Sequence, residues 1–164
     1  MQSATRWHSQ PTTAAAKNTH PRATTLPESV PRTIGVSEAE WHALITERPN
    51  LLIEGNQAAT DHVLRALHPY LFEPLFCWRA TMPLSLPQDH CGSLLLFGLT
   101  AMGAEEQGSI FEWLDRARGQ VQVVSMSARP LFPLVERGEF RIDLFYRLNV
   151  LRIRAASRMA HAKL

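Results

Sequence analysis

Gly138-Glu139-Phe140-Arg141-Ile142-Asp143-Leu144-Phe145-Tyr146-Arg147-Leu148-Asn149-Val150 is the run on which the reading of this chain turns. Gly138 stops a short helix over 131–137, and residues 143–148 form another. Phe140, Leu144, Phe145 and Leu148 are spaced to face a core. Residues 150–153 follow as an apolar strand. Arg141 and Arg147 bracket a short amphipathic segment after the glycine stop and before the strand. Guanidinium groups held on a firm element can stabilise charge on a phosphate. They can equally be structural, because Asp143 and Arg147 stand four residues apart on one helix face, a spacing that favours a weak ion pair.

Upstream, short apolar runs alternate with helical patterns. Residues 121–124 read as a strand, and 105–116 as a helix with Ile110, Phe111 and Leu114 inward. Residues 93–97 are almost uniformly apolar, as a central parallel strand requires. Residues 75–78 form another strand candidate, followed by a loop marked by Pro83 and Pro87. Residues 58–67 read as a helix after the strand at 51–53, which Gly55 closes. Ser37-Glu38-Ala39-Glu40 is a capping box for a helix carrying Trp41, Leu44 and Ile45 and ended by Pro49. This alternation predicts an α/β domain with a mainly parallel, five-stranded sheet over 36–155.

The chain is long enough for one such domain: 164 residues, 45% apolar and 20% charged. A net charge of +2 is too small to argue for nucleic acid without a clustered patch. Residues 1–35, rich in Thr, Ala, Ser and Pro, predict a disordered tail, and 156–164 a short basic one. The apolar stretch 94–104 is too short to span a bilayer, so no membrane partner is expected and the setting is cytoplasmic. Cys77 and Cys91 lack a CxxC or metal-ligand spacing and read as buried, reduced thiols, with no metal site. His68 and His90 read as surface or loop residues, and Trp113 as packing.

From about residue 50 to 154 the chain resembles the AAA+ ATPase domain of bacterial enhancer-binding proteins, the activators of sigma-54 RNA polymerase. The match is long and specific from Val135-Glu136-Arg137-Gly138 through Val150. Weaker matches precede it in order: residues 51–55 resemble the strand entering the phosphate loop, and Cys91-Gly92-Ser93-Leu94-Leu95-Leu96 the approach to the Walker B acids. Residues 107–114 resemble the helix after those acids, and 121–131 the sensor strand. The resemblance implies a P-loop NTPase-like core and gives Arg141 and Arg147 the place of arginines that reach a neighbouring subunit's nucleotide.

The chemical positions depart from that pattern. The phosphate-loop stretch is Gly55-Asn56-Gln57-Ala58-Ala59-Thr60-Asp61-His62, in which only the first glycine survives. Asp61 stands at the lysine position, where a carboxylate repels phosphate, and His62 stands near the magnesium-binding hydroxyl's position. Thr60 falls early for that hydroxyl. Glu54, Asp61 and His62 therefore read as caps and first-turn polar residues of the following helix. Phe97-Gly98 replaces the Asp-Glu pair of Walker B and cannot ligate a hard cation. At the sensor position stands Ala128, with Ser127 beside it.

The family's Gly-Ala-Phe-Thr-Gly-Ala loop for the sigma factor has no counterpart in 78–92, so sigma contact is not expected. The helical lid and the helix-turn-helix reader that follow in the family are not expected before Leu164, nor is direct DNA binding. These features predict a shortened sigma-54-type AAA+ domain without hydrolysis of its own, assembling with other AAA+ subunits. Two alternatives stay open: a weak ATP-binding protein or sensor that uses ATP and magnesium through a remnant loop, and a gene remnant without function.

Overall fold

A computed structural model describes residues 29–156. Five strands form one parallel sheet: β1 (Leu51–Glu54), β2 (Leu75–Arg79), β3 (Ser93–Phe97), β4 (Gln122–Ser127) and β5 (Leu151–Arg154), in the order β2-β3-β4-β1-β5. The expected sheet is the one that forms. Helices cover both faces. α1 (Ser29–Ile34), α2 (Glu38–Thr46) and α3 (Gln57–Leu67) lie on one side, and α4 (Ala104–Ala117), α5 (Phe132–Glu136) and α6 (Ile142–Leu148) serve the other.

The central strands are buried over their whole length because both faces are covered: every residue of β1 and β4 is buried. Their side chains alternate between two cores. Leu52, Leu94, Leu96 and Val123 meet Ile110, Leu114, Leu144 and Leu148. Leu51, Ile53, Leu95 and Val124 meet Trp41, Leu44, Val63 and Leu67. β4 runs three residues past its expected end, since Ser125, Met126 and Ser127 look like a polar exit yet are buried in the ladder.

The Ser37 capping box forms as the sequence indicates: Glu40 N donates to Ser37 Oγ at 3.2 Å, and Ser37 N donates to Glu40 Oε2 at 2.8 Å. α2 ends at Thr46, short of Pro49, where Arg48 takes a left-handed φ of 52°. Residues 29–35 depart from the expected tail. They form α1, and Ile34 is fully buried against the α2–α3 core, which supplies the apolar anchor that their Thr/Pro-rich surroundings conceal. The rest of the predicted tail, 1–28, and residues 157–164 lie outside the described residues.

The cysteines also depart from expectation. Cys77 is half-buried and Cys91 exposed, because Cys91 sits in the turn before β3 rather than in it. Burial pushes the Cys77 thiol up, opposed by the charge of nearby Arg79. Trp113 packs as expected: it is buried, and its Nε1 donates to Pro87 O at 2.8 Å. That bond ties the β2–β3 connection down onto α4. No helix among the described residues is long and apolar enough to cross a membrane.

Candidate functional site

The C-terminal edge of a parallel sheet is where ligands bind in open α/β folds, since loops diverge there. In this chain β1, β2, β3 and β4 end around a cavity of about 140 Å³. It gathers residues far apart in sequence: Gly55 and Thr60, Phe97 and Gly98, Ser127 and Ala128 all line it. Asp61 and His62 do not; Asp61 is half-buried and His62 exposed on the next part of α3.

The β1–α3 connection is only Gly55 and Asn56, because helix begins at Gln57. Asn56, not an acid, is the cap: Ala59 N donates to its Oδ1 at 2.9 Å. No acid stands in the first turn. Gln57 Nε2 donates to Asp61 Oδ1 at 2.8 Å, so the expected capping role of Asp61 is replaced by a side-chain pair one turn along the helix. The Thr60 hydroxyl lies 3.0 Å from Gln57 O and 3.2 Å from Asn56 O, turned back on its own helix. Glu54 is no cap either. It is buried, and its Oε1 accepts from Leu131 N at 3.0 Å, fixing the chain after β4.

The surviving Gly55 has a packing reason. A Cβ there would stand 2.6 Å from Ala155 O, so the exit of β5 demands glycine. Gly98, at the second Walker B position, holds φ at +76°, a conformation that resists a side chain. Ser127 Oγ donates to Arg129 O at 2.5 Å.

The two arginines lie elsewhere, on the α4–α6 side. Arg141 N donates to Gln107 Oε1 at 2.8 Å, and Gln107 Nε2 donates to Met102 O and Glu139 O, both at 3.0 Å. The Arg141 guanidinium pairs with Asp143 through bonds of 3.0 and 2.7 Å. The Arg141 bond holds the Asp143 carboxyl below its usual range, and the same bond pushes Arg141 up. Arg147 pairs with Asp115 on α4 at 2.7 Å. The expected Asp143–Arg147 pair does not form, since Asp143 is taken by Arg141 at the helix entrance. Both guanidinium groups sit over Phe111, at 5.0 and 5.6 Å from its centroid. Both pairs are substantially exposed.

Residues 88–154 match the family described as Sigma-54 interaction domain, and they contain β3, β4, β5 and both arginines. Over that stretch the chain is similar to a sigma-54 interaction domain. The chain is also 47% identical over 72 residues to the pathogenicity locus probable regulatory protein HrpR of Pseudomonas syringae pv. syringae, over 43% of this chain and 20% of that protein. Another match is the HTH-type transcriptional regulatory protein TyrR of Enterobacter agglomerans, 40% identical over 75 residues, 39% of this chain and 14% of TyrR. The chain thus spans a fifth or less of these relatives' length. The fold is that of NtrX from Brucella abortus, solved with ATP: TM-score 0.60 at 20% identity, over 82% of this chain and 36% of NtrX. The fold shared with it is a P-loop NTPase-like α/β core.

The structure also places residues at these sites that the sequence alone does not mark. Arg79 lines the cavity with its guanidinium 4.3 Å above the Phe97 ring. The signal is register: Arg79 ends β2 directly opposite Phe97 at the end of β3. Gln107 and Asp115 are visible only through the helix they share with Phe111, a face that no local pattern marks as polar. Among the described residues, no group of three or more His, Cys, Asp or Glu could hold a metal ion.

Proposed function

We propose that this AAA+ domain acts in transcription regulation as a subunit that does not hydrolyse ATP and serves a neighbouring AAA+ subunit through Arg141 and Arg147. One observation carries the reading: the arginines keep a defined exposed place while the chain's own phosphate edge has lost its cradle. A phosphate loop needs several backbone N–H groups turned outward, a lysine and a magnesium hydroxyl. At residues 55–62 the strand passes into helix after two residues, and the Asn56 side chain occupies a first-turn amide. Phe97-Gly98 supplies no carboxylate. The residues at this edge do not fit a magnesium nucleotide. The same geometry weighs against the alternative of a weak ATP sensor.

Regulation is supported by the family match and by the names of HrpR and TyrR, both regulatory proteins. Assembly is supported by the arginine face, whose neighbours Ile142 and Tyr146 are exposed apolar residues. Contact with sigma factor is not part of the reading, since the β2–β3 connection folds back on α4. A soluble, cytoplasmic setting fits such a subunit.

The test is an ATPase assay with an active sigma-54-type AAA+ subunit, alone and mixed with this chain. The chain alone should show no turnover, and its addition should change the turnover of the mixture. Arg141→Ala should return the mixture to the value of the active subunit alone. Unchanged turnover on that substitution would sink the trans role, and magnesium-dependent hydrolysis by the isolated chain would sink the inactive reading.

A further inference from the structure

The cavity at the strand ends has its own chemistry. Its apolar lining includes Phe97, Ala101 and Met126. One cation stands at it, Arg79, and no ion pair to Arg79 occurs among the described residues. Stacking on Phe97 fixes the guanidinium plane and leaves its N–H edges free, the geometry that takes a carboxylate through two parallel bonds. The Thr81 side chain lines the same cavity. Its volume of about 140 Å³ corresponds to roughly five waters at ~30 Å³ each. That is below the roughly 300–1,000 Å³ usual for drug-sized ligands. A hydrated phosphate gains little from an apolar lining.

We propose that this cavity binds a small organic carboxylate with a short branched or linear apolar tail. The carboxylate pairs with Arg79 at the mouth, and the tail lies on Phe97, Ala101 and Met126. This rests on the reading that the edge takes no magnesium nucleotide, and it is independent of the arginine face on α6. The lost Walker B acids then have a positive meaning. Phe97 replaces a metal-binding carboxylate with a platform for a cation, and removal of acidic charge leaves the site open to an anion.

Isobutyrate is the probe, followed by amide and guanidinium NMR shifts of the full chain, with isobutyramide, inorganic phosphate and magnesium-ATP titrated in parallel. Isobutyrate should produce saturable shifts at Arg79, Gly98 and Ser127 in the millimolar range. Isobutyramide and phosphate should bind at least about tenfold more weakly. Arg79→Gln should abolish the isobutyrate response and Arg79→Lys should restore part of it. Ala101→Leu, which fills the cavity and leaves Arg79 in place, should also abolish it. No saturable shift with isobutyrate, an equal response to isobutyramide or phosphate, or an undiminished response in Arg79→Gln or Ala101→Leu would each overturn the proposal. Magnesium-ATP saturating the same signals would overturn the nucleotide-free reading beneath it; silent ATP with silent isobutyrate overturns the carboxylate site alone.

Discussion

Gln107 joins the helix behind β3 to the entrance of α6. Its buried amide makes three bonds, to Met102 O, Glu139 O and Arg141 N, across 34 residues of sequence at the widest. Leucine fills similar space but leaves these backbone groups without partners, and each unpaired buried group costs ~1–3 kcal/mol. Gln107→Leu should therefore lower unfolding free energy by about 3 kcal/mol in urea denaturation, and a loss near zero would show that water reaches these groups. The Arg141–Asp143 pair makes a different prediction because it is exposed. The folded Asp143 carboxyl titrates below its unfolded value, so the pair's contribution is present above the ordinary carboxylate range and fades as pH falls through the depressed value. Solvent screening keeps that contribution small, so the readout is titration rather than stability. Carbon-detected NMR should show the Asp143 midpoint rising toward the ordinary carboxylate range in Arg141→Ala. An unmoved midpoint would assign the shift to the Leu144 amide, which donates to Asp143 Oδ1 at 2.7 Å.

At the scale of elements, the β1–α3 turn decides what the old phosphate edge can do. Asn56→Ala should cost about 1 kcal/mol, the usual worth of a side-chain cap, measured by chemical denaturation. Asp61→Lys should give no binding of a fluorescent ATP analogue with magnesium, since residue 61 lies on the fifth helical position of α3 rather than at a loop-to-helix junction. Magnesium-dependent binding by that variant would mean that the turn unwinds readily. The strands and the longer helices were legible because uniformly apolar runs and 3.6-residue spacing report burial directly. α1 was not: its anchor is Ile34 with Pro31 and half-buried Val30 beside it, and six residues containing a proline carry no periodic signal. The departures from the phosphate-loop and Walker B patterns were legible residue by residue at 55–62 and 97–98. The reason for Gly55 was not, since it depends on Ala155, a hundred residues away. Nor was Arg79, whose stacking on Phe97 follows from strand register alone.

For the whole molecule the question is whether the arginine face is an interface or a finished surface. Arg141 and Arg147 are each held by a carboxylate and by Phe111, which looks like local structure. Yet Ile142, Tyr146 and Phe132 beside them are exposed, and such apolar side chains gain from being covered. Tyr146 is exposed and meets the core only at the edge of the Phe145 ring, 5.5 Å between centroids, so Tyr146→Glu should lower thermal stability little while reducing co-sedimentation with an active AAA+ partner. The acids provide the sharper discrimination. Asp115→Asn and Asp143→Asn together release both guanidinium groups from their own chain. If the pairs only brace α6 against α4, the double variant should be slightly less stable and leave the partner's ATP turnover unchanged. If the arginines act on a neighbour's nucleotide, the intramolecular carboxylates compete with its phosphates for the same N–H edges. Releasing them should then increase the response of the partner's turnover to this chain, and Arg141→Ala in the same background should remove it. A smaller response in the double variant would contradict competition and leave Asp115 and Asp143 as groups that aim the arginines rather than restrain them.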